Sequence, residues 1–119
     1  MTPIQDCIIN KNTKLKPLWI MRQAGRYLPE FREIRAKNTD FIKLCLNESL
    51  SSEITLQPIK RFNFDAAIIF SDILMLPYGL NQEVKFEKGF GPKLGQVNIE
   101  EMSKLDEVDF IEKIYPVYK

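Results

Sequence analysis

Chemistry-bearing side chains gather at two places in this 119-residue sequence. In "WIMRQAGRYLPEFR", Trp19 to Arg32, a short apolar run leads straight into Arg22, Gln23, Ala24, Gly25 and Arg26. In "DAAIIFSD", Asp65 to Asp72, a second apolar run ends on Ser71 and Asp72. Arginine stays ionised and presents a planar fork of donors that fits a carboxylate bidentately. Gly25 lets the backbone turn sharply or approach a ligand, leaving the N–H groups of Gln23 and Ala24 for a second anion contact. Arg22 and Arg26 held close repel unless an acidic ligand or a protein carboxylate lies between them. Arg35, farther along, adds a third positive group if its helix starts toward the same mouth. The alternative is a solvated loop whose arginines pair with Glu30 or Glu33, and residue types alone do not separate the two.

Asp72 is the sharper candidate. A carboxylate that ends an apolar strand is partly desolvated and needs donors or a cation. It could equally cap the segment "ILMLPYG" that follows, as could Ser71. Arginines at a rim with an aspartate deeper in fit a small molecule that bears several acid groups around a cationic or N–H-rich centre. Asp65, at the other end of its run, reads as a turn residue.

What the sequence lacks narrows the chemistry further. It contains no histidine, which removes Ser-His and Cys-His nucleophile pairs and the commonest zinc ligand. Cys7 and Cys45 share no metal-ligand spacing and are too few for a disulfide scaffold, so two inert thiols in a reducing cytosol are expected. A net charge of +1 argues against a general nucleic-acid binder, which needs a broad basic face. No apolar run approaches a membrane span, and the first ten residues do not read as a secretory signal.

The elements that would position these residues can be read in order. Residues 1–16 read as a tail with at most a turn of helix. "PLWIM", Pro17 to Met21, has the length of a buried strand. Pro29 and Glu30 suit the first turn of a helix through "PEFREIRAKN". "TDFIKLCLN" predicts a short helix capped by Asp40. Asn47 caps a longer one in which Leu50, Ile54 and Ile59 form a core-facing stripe, and which Pro58 kinks or ends early. "DAAIIFSD" has the continuous apolar character of a strand buried on both faces of a parallel sheet. "EVKFE" alternates like a half-buried strand, and "GFGPKLG" after it reads as turn and loop, together a hairpin-like insert. The last stretch begins at a capping aspartate and carries Val108, Ile111, Tyr115 and Tyr118 at helical spacing, with Pro116 a possible kink.

Strand, helices, strand, insert, helix is the order of a βαβ unit with an addition. Functional residues of such folds collect at the carboxyl ends of parallel strands. Arg22–Arg26 and Ser71-Asp72 both fall there, and adjacent strands are about 4.8 Å apart, so the two clusters are expected to face one pocket. Two strands cannot close a sheet, and an α/β barrel runs to about 250 residues. The chain reads as an α/β piece of about a third of one.

The residues carry a specific resemblance. "PLWIMRQAGRYLPEFR" closely resembles the N-terminal signature of the uroporphyrinogen decarboxylase family, P-x-W-x-M-R-Q-A-G-R, and "ITLQPIKRF" and "FDAAIIFSDIL" resemble its next two blocks. The similarity covers about residues 15–95; residues 96–119 fit only loosely. It implies the N-terminal part of a single (β/α)8 TIM-barrel domain over residues 1–119, holding the first two barrel strands and their helices plus the insert. The implied activity is removal of the four acetate carboxyls of uroporphyrinogen III, giving coproporphyrinogen III in haem and porphyrin biosynthesis. It implies no metal or organic cofactor, a homodimer, a cytoplasmic location, and neither nucleic-acid nor membrane partners. Arg22 and Arg26 would bind substrate carboxylates, with the Gln23, Ala24 and Gly25 backbone beside them, Arg35 supporting and Phe31 at the pocket edge. Asp72 would accept hydrogen bonds from pyrrole N–H groups as the catalytic carboxylate. The family's tyrosine, serine or threonine, and histidine belong to later strands, so the 119-residue piece is expected to be inactive by itself. Two other readings stand beside this one. One is a methyltransferase on a related barrel; the other is a noncatalytic fragment that binds an anionic ligand or its missing remainder.

Overall fold

Side chains within three residues of each helix start decide where most of the helices begin. A computed structural model describes residues 1–21, 23–87 and 89–119. It divides into two compact units, Met1–Lys37 with Ser52–Phe70, and Asn38–Ser51 with Ser71–Lys119.

In the first unit, helix α1 spans Pro3–Asn10. The Thr2 hydroxyl accepts from the Gln5 N–H at 3.3 Å while the Gln5 side chain accepts from the Thr2 N–H at 2.9 Å. This reciprocal box answers two of the donors that a helix start leaves orphaned, so the expected tail is a formed helix instead. Helix α2 spans Pro29–Lys37 and starts at the proline as expected. Helix α3, Phe41–Cys45, belongs to the second unit and is capped by Asp40. Helix α4 spans Glu48–Phe62, with Asn47 accepting from the Leu50 N–H at 2.9 Å. Within α4 Ile54 is fully buried, and Leu50 and Ile59 are half-buried. Pro58 does not end this helix early, because α4 continues through Phe62. The ring of Pro58 is fully buried, and that burial offsets the hydrogen bond its missing N–H removes. Leu28, Phe31 and Ile54 make the apolar centre of this unit, with Phe31 edge-to-face on Phe70 at 5.7 Å.

Neither apolar run forms the strand expected of it. Residues 17–21 and 65–72 form neither helix nor ladder, with bends at Met21, Asp65 and Phe70. Two bonds join them: the Asp65 N–H donates to the Leu18 carbonyl at 2.9 Å, and the Leu18 N–H to Asp65 Oδ2 at 2.7 Å. Leu18, Ile20, Ile68 and Ile69 are all exposed. Parallel strands hold their form through repeated bonds along an edge and through cover on both faces, and one bonded end supplies neither. Asp65, read as a turn residue, is what ties the two runs together.

In the second unit, helix α5 spans Met75–Gly79. The only strands among the described residues follow it, β1 at Val84–Glu87 and β2 at Gly91–Leu94, paired antiparallel with Val84 opposite Leu94 and Phe86 opposite Pro92. The hairpin insert is therefore present, but its return strand occupies residues expected to be loop. Gly89 and Gly91 make the reversal with φ of 89° and 85°, a region closed to most side chains. Pro92 is tolerated because β2 is an edge strand. On one face Phe86 meets Phe41 edge-to-face at 5.0 Å. On the other Lys85 lies opposite Lys93, and each is answered by its own carboxylate, Glu83 at 2.5 Å and Glu87 at 2.6 Å.

Helix α6, Ile99–Ser103, is capped by Asn98, and helix α7, Glu107–Ile114, by Asp106 as expected. A 3-10 turn over Tyr115–Val117 takes up Pro116. The apolar residues read at helical spacing are not the ones the helix buries. Val108, Ile111, Tyr115 and Tyr118 are exposed, while Ile114 and Val117 are buried. Phe110 and Ile114 instead close on Gly79, whose missing side chain makes room for them. Ile42, Leu44, Cys45, Leu74 and Met75 complete this unit's core.

Candidate functional site

The arginine turn belongs wholly to the first unit. After the apolar run, Gln23 folds back so that its Nε2 donates to the Ile20 carbonyl. Ala24 and Gly25 are half-buried bends, and the Leu28 N–H closes the turn onto the Gly25 carbonyl at 3.0 Å. The ring of Tyr27 lies over the turn, 3.8 Å from where a Cβ on Gly25 would stand, an ordinary contact distance. Arg26 is exposed, and its carbonyl accepts from Arg32 Nη1 at 2.8 Å. One arginine of the stretch thus serves as a strut that ties α2 to the turn.

Glu30, one of the two carboxylates expected to neutralise these arginines in the solvated-loop reading, is engaged elsewhere. Arg61 from the end of α4 grips it with Nε at 2.8 Å and Nη2 at 3.0 Å. That fork holds the Glu30 carboxyl below its ordinary value and raises Arg61. Among the described residues no carboxylate forms an ion pair with Arg26. Arg22 lies outside the described residues. Arg35 is half-buried in the last turn of α2, and Phe31 is buried against Phe70.

Asp72 belongs to the second unit. It is half-buried, its Oδ1 accepts from the Leu74 N–H at 2.8 Å, and its carbonyl accepts from the Met75 N–H at 3.0 Å. Asp72 is not the cap of α5, whose N-cap position is Leu74 without a side-chain cap bond; its bond to Leu74 instead organises the turn that leads into the helix. That occupies one carboxylate oxygen with one neutral donor. A carboxylate has about four acceptor positions, so this turn bond does not exhaust it. Ser71 is exposed.

Three features of the first unit have no clear signal in the sequence. The Glu30–Arg61 fork joins residues far apart in the chain. An open cleft of about 410 Å³ is lined by Ile20, Tyr27, Phe62 and Phe64, and both Ile20 and Tyr27 touch the arginine turn. Gln57 has both side-chain polar atoms buried with no partner, as does Gln23 through its Oε1. Such groups each cost about 1–3 kcal/mol.

An exposed arginine without a carboxylate partner, on a turn held by Arg32 and the Gly25 carbonyl, is suited to an anionic group. Comparison with known proteins gives the turn its family. The family profile described as Uroporphyrinogen decarboxylase (URO-D) matches residues 2–119. The chain is 50% identical over 116 residues to a uroporphyrinogen decarboxylase of Agrobacterium fabrum, covering 98% of this chain and 34% of that protein. It is also 50% identical over 103 residues to those of Chelativorans sp. and Mesorhizobium japonicum, covering 87% of this chain and 30% of each relative. The chain thus spans about a third of the length of the curated relatives it matches. With its arginine turn and the flanking sequence inside the matched region, the chain belongs to the uroporphyrinogen decarboxylase family.

Proposed function

We propose that this chain contributes the carboxylate-binding turn and a catalytic aspartate to the decarboxylation of uroporphyrinogen, within a (β/α)8 barrel completed by sequence that the relatives carry beyond the matched region. The observation that carries the reading is the family match over residues 2–119, which takes in both chemical clusters. It leaves the methyltransferase reading without support.

The chemistry asked of these residues is modest. Protonation of a pyrrole carbon makes an iminium-like cation. The bond from the acetate methylene to its carboxyl carbon then breaks, CO2 leaves, and the electron pair flows into the ring. A proton then takes the vacated position on the methylene, and loss of the proton first added to the ring carbon restores the neutral pyrrole. A fixed carboxylate beside the pyrrole nitrogens stabilises the cationic stage more than the neutral ground state, which is where rate is gained. Asp72 is assigned that role, and its turn bond to Leu74 would hold it in one orientation without neutralising it. Arg26 is assigned to a substrate carboxylate, with Arg22 beside it and the Gln23–Gly25 backbone, Arg35 and Phe31 in support. No cofactor is required by this route. The whole protein is proposed to be cytoplasmic and homodimeric, and no helix among the described residues is long and apolar enough to cross a membrane.

The test is binding and turnover of uroporphyrinogen. The 119-residue chain is expected to show no turnover alone, and full turnover by it would refute the division of labour. Loss of porphyrinogen binding in Arg26→Ala and Asp72→Asn supports the reading; unchanged binding in both sinks it in favour of a noncatalytic fragment.

A further inference from the structure

The first unit contains one carboxylate within four residues of Arg26, and it is held by another arginine. Glu30 sits in the first turn of α2, the helix that Arg32 straps to the Arg26 carbonyl. In sequence, Glu30 is the carboxylate closest to Arg26. Both Glu30 oxygens are occupied by a planar fork from Arg61 in the last turn of α4. The fork is the geometry in which arginine binds carboxylate most specifically, and both side chains are only partly exposed, at 45% for Arg61 and 33% for Glu30.

We propose that Arg61 is a positioning residue that sequesters Glu30 from the arginine turn, keeping the Arg26 charge available to an anionic ligand. Glu30 is then a potential internal competitor of that ligand, and Arg61 acts on affinity without touching it. The inference rests on the anion-binding reading of the turn and adds what keeps that turn cationic.

The pair is well suited to the task because it can be dissected by charge. The probe is benzenehexacarboxylate, a small polycarboxylate, titrated into the 119-residue chain by calorimetry at low ionic strength. Arg61→Gln is expected to weaken binding about fivefold, the factor one exposed ion pair is worth. Glu30→Gln is expected to bind as tightly as the unsubstituted chain or tighter. The double substitution Glu30→Gln with Arg61→Gln is expected to return to within about twofold of it, because the competitor is gone. A purely structural clamp gives a different pattern, with both single substitutions weakening binding alike and the double no better, and that pattern overturns the proposal. So does an Arg61→Gln protein that binds normally. If Arg61→Gln loses its far-ultraviolet circular dichroism, the Glu30→Gln arm still decides, since weaker binding there contradicts competition. The underlying anion-site reading is tested separately by Arg26→Ala. Binding that survives Arg26→Ala overturns that reading, and a chain that does not bind the probe at all overturns both.

Discussion

Gly79→Ala is the substitution whose effect the structure specifies most sharply. A Cβ at Gly79 would stand 2.5 Å from Phe110 Cε2, 2.8 Å from Phe110 Cδ2 and 2.9 Å from Ile114 Cγ2. Carbon atoms in contact prefer about 3.5–4.0 Å, so the α5–α7 contact must open by roughly an ångström. The atoms in the way are a phenyl ring and a β-branched side chain, and neither can bend aside as a lysine tip could. Overpacking of this kind costs about 1–3 kcal/mol. Against it stands the ordinary gain from replacing a helical glycine with alanine, roughly 0.5–1 kcal/mol. The net expectation is a loss of about 1–2 kcal/mol, confined to the second unit. Native-state hydrogen exchange reads it locally, because the Leu80 N–H to Leu76 carbonyl bond and the Phe110 N–H to Asp106 carbonyl bond report on α5 and α7. Their exchange should quicken about five- to thirtyfold, at 1.4 kcal/mol per factor of ten. Adding Phe110→Leu should recover part of the loss by vacating the ring edge. The reasoning is refuted if Gly79→Ala slows exchange at these amides, as an unopposed helix-propensity gain would.

Three further outcomes can be checked on the same protein. Asp72→Asn should leave stability nearly unchanged, since the amide oxygen can still accept from Leu74, whereas Asp72→Ala should cost about 1 kcal/mol in urea unfolding; a large loss in the asparagine variant would mean that charge, not the turn bond, holds α5. Because the Arg61 fork depresses the Glu30 carboxyl, its stabilisation is fully present above the ordinary glutamate pKa and is lost as pH falls through the lowered one. A carbon-13 titration should therefore find the Glu30 midpoint lower than in Arg61→Gln, and equal midpoints would contradict the fork. Gly91→Val forces a β-branched residue to a φ of 85° and should cost at least about 1–2 kcal/mol, visible as loss of the cross-strand contacts between Val84 and Leu94; retention of those contacts with unchanged stability would count against the strained reversal.

What could be read from the sequence is what short-range hydrogen bonding controls. Asp40, Asn47 and Asp106 cap the helices they precede because the donors they satisfy lie two or three residues away. Pro29 opens α2 for a similar reason, since a helix start needs no N–H there. The arginine turn was legible as a candidate anion site from residue type alone, and the decapeptide around it carried the family. Asp72 reads as either a cap or a candidate acid, and the structure gives it a local turn bond to Leu74 in place of the cap; whether it also meets a substrate is not a local property.

The rest depended on partners distant in the chain. Pro58 sits mid-helix because burial of its ring offsets a lost bond, and burial is not written in the neighbouring residues. Helix α7 carries two overlapping apolar stripes, and the one holding Phe110 and Ile114 is buried because Gly79, thirty-one positions before Phe110, leaves room for it. The apolar runs at 17–21 and 65–72 have strand-like composition, yet a strand exists only where another backbone supplies its bonds. Glu30 could have answered Arg26 or Arg61 on charge alone, since any carboxylate attracts any guanidinium. Tertiary structure chose Arg61 by bringing the end of α4 to the start of α2, where a fork could close at 2.8 Å and 3.0 Å. Residue types determined that this chain would carry an arginine-rich turn, and the fold decided which arginine meets Glu30, because only position in space selects among equal charges.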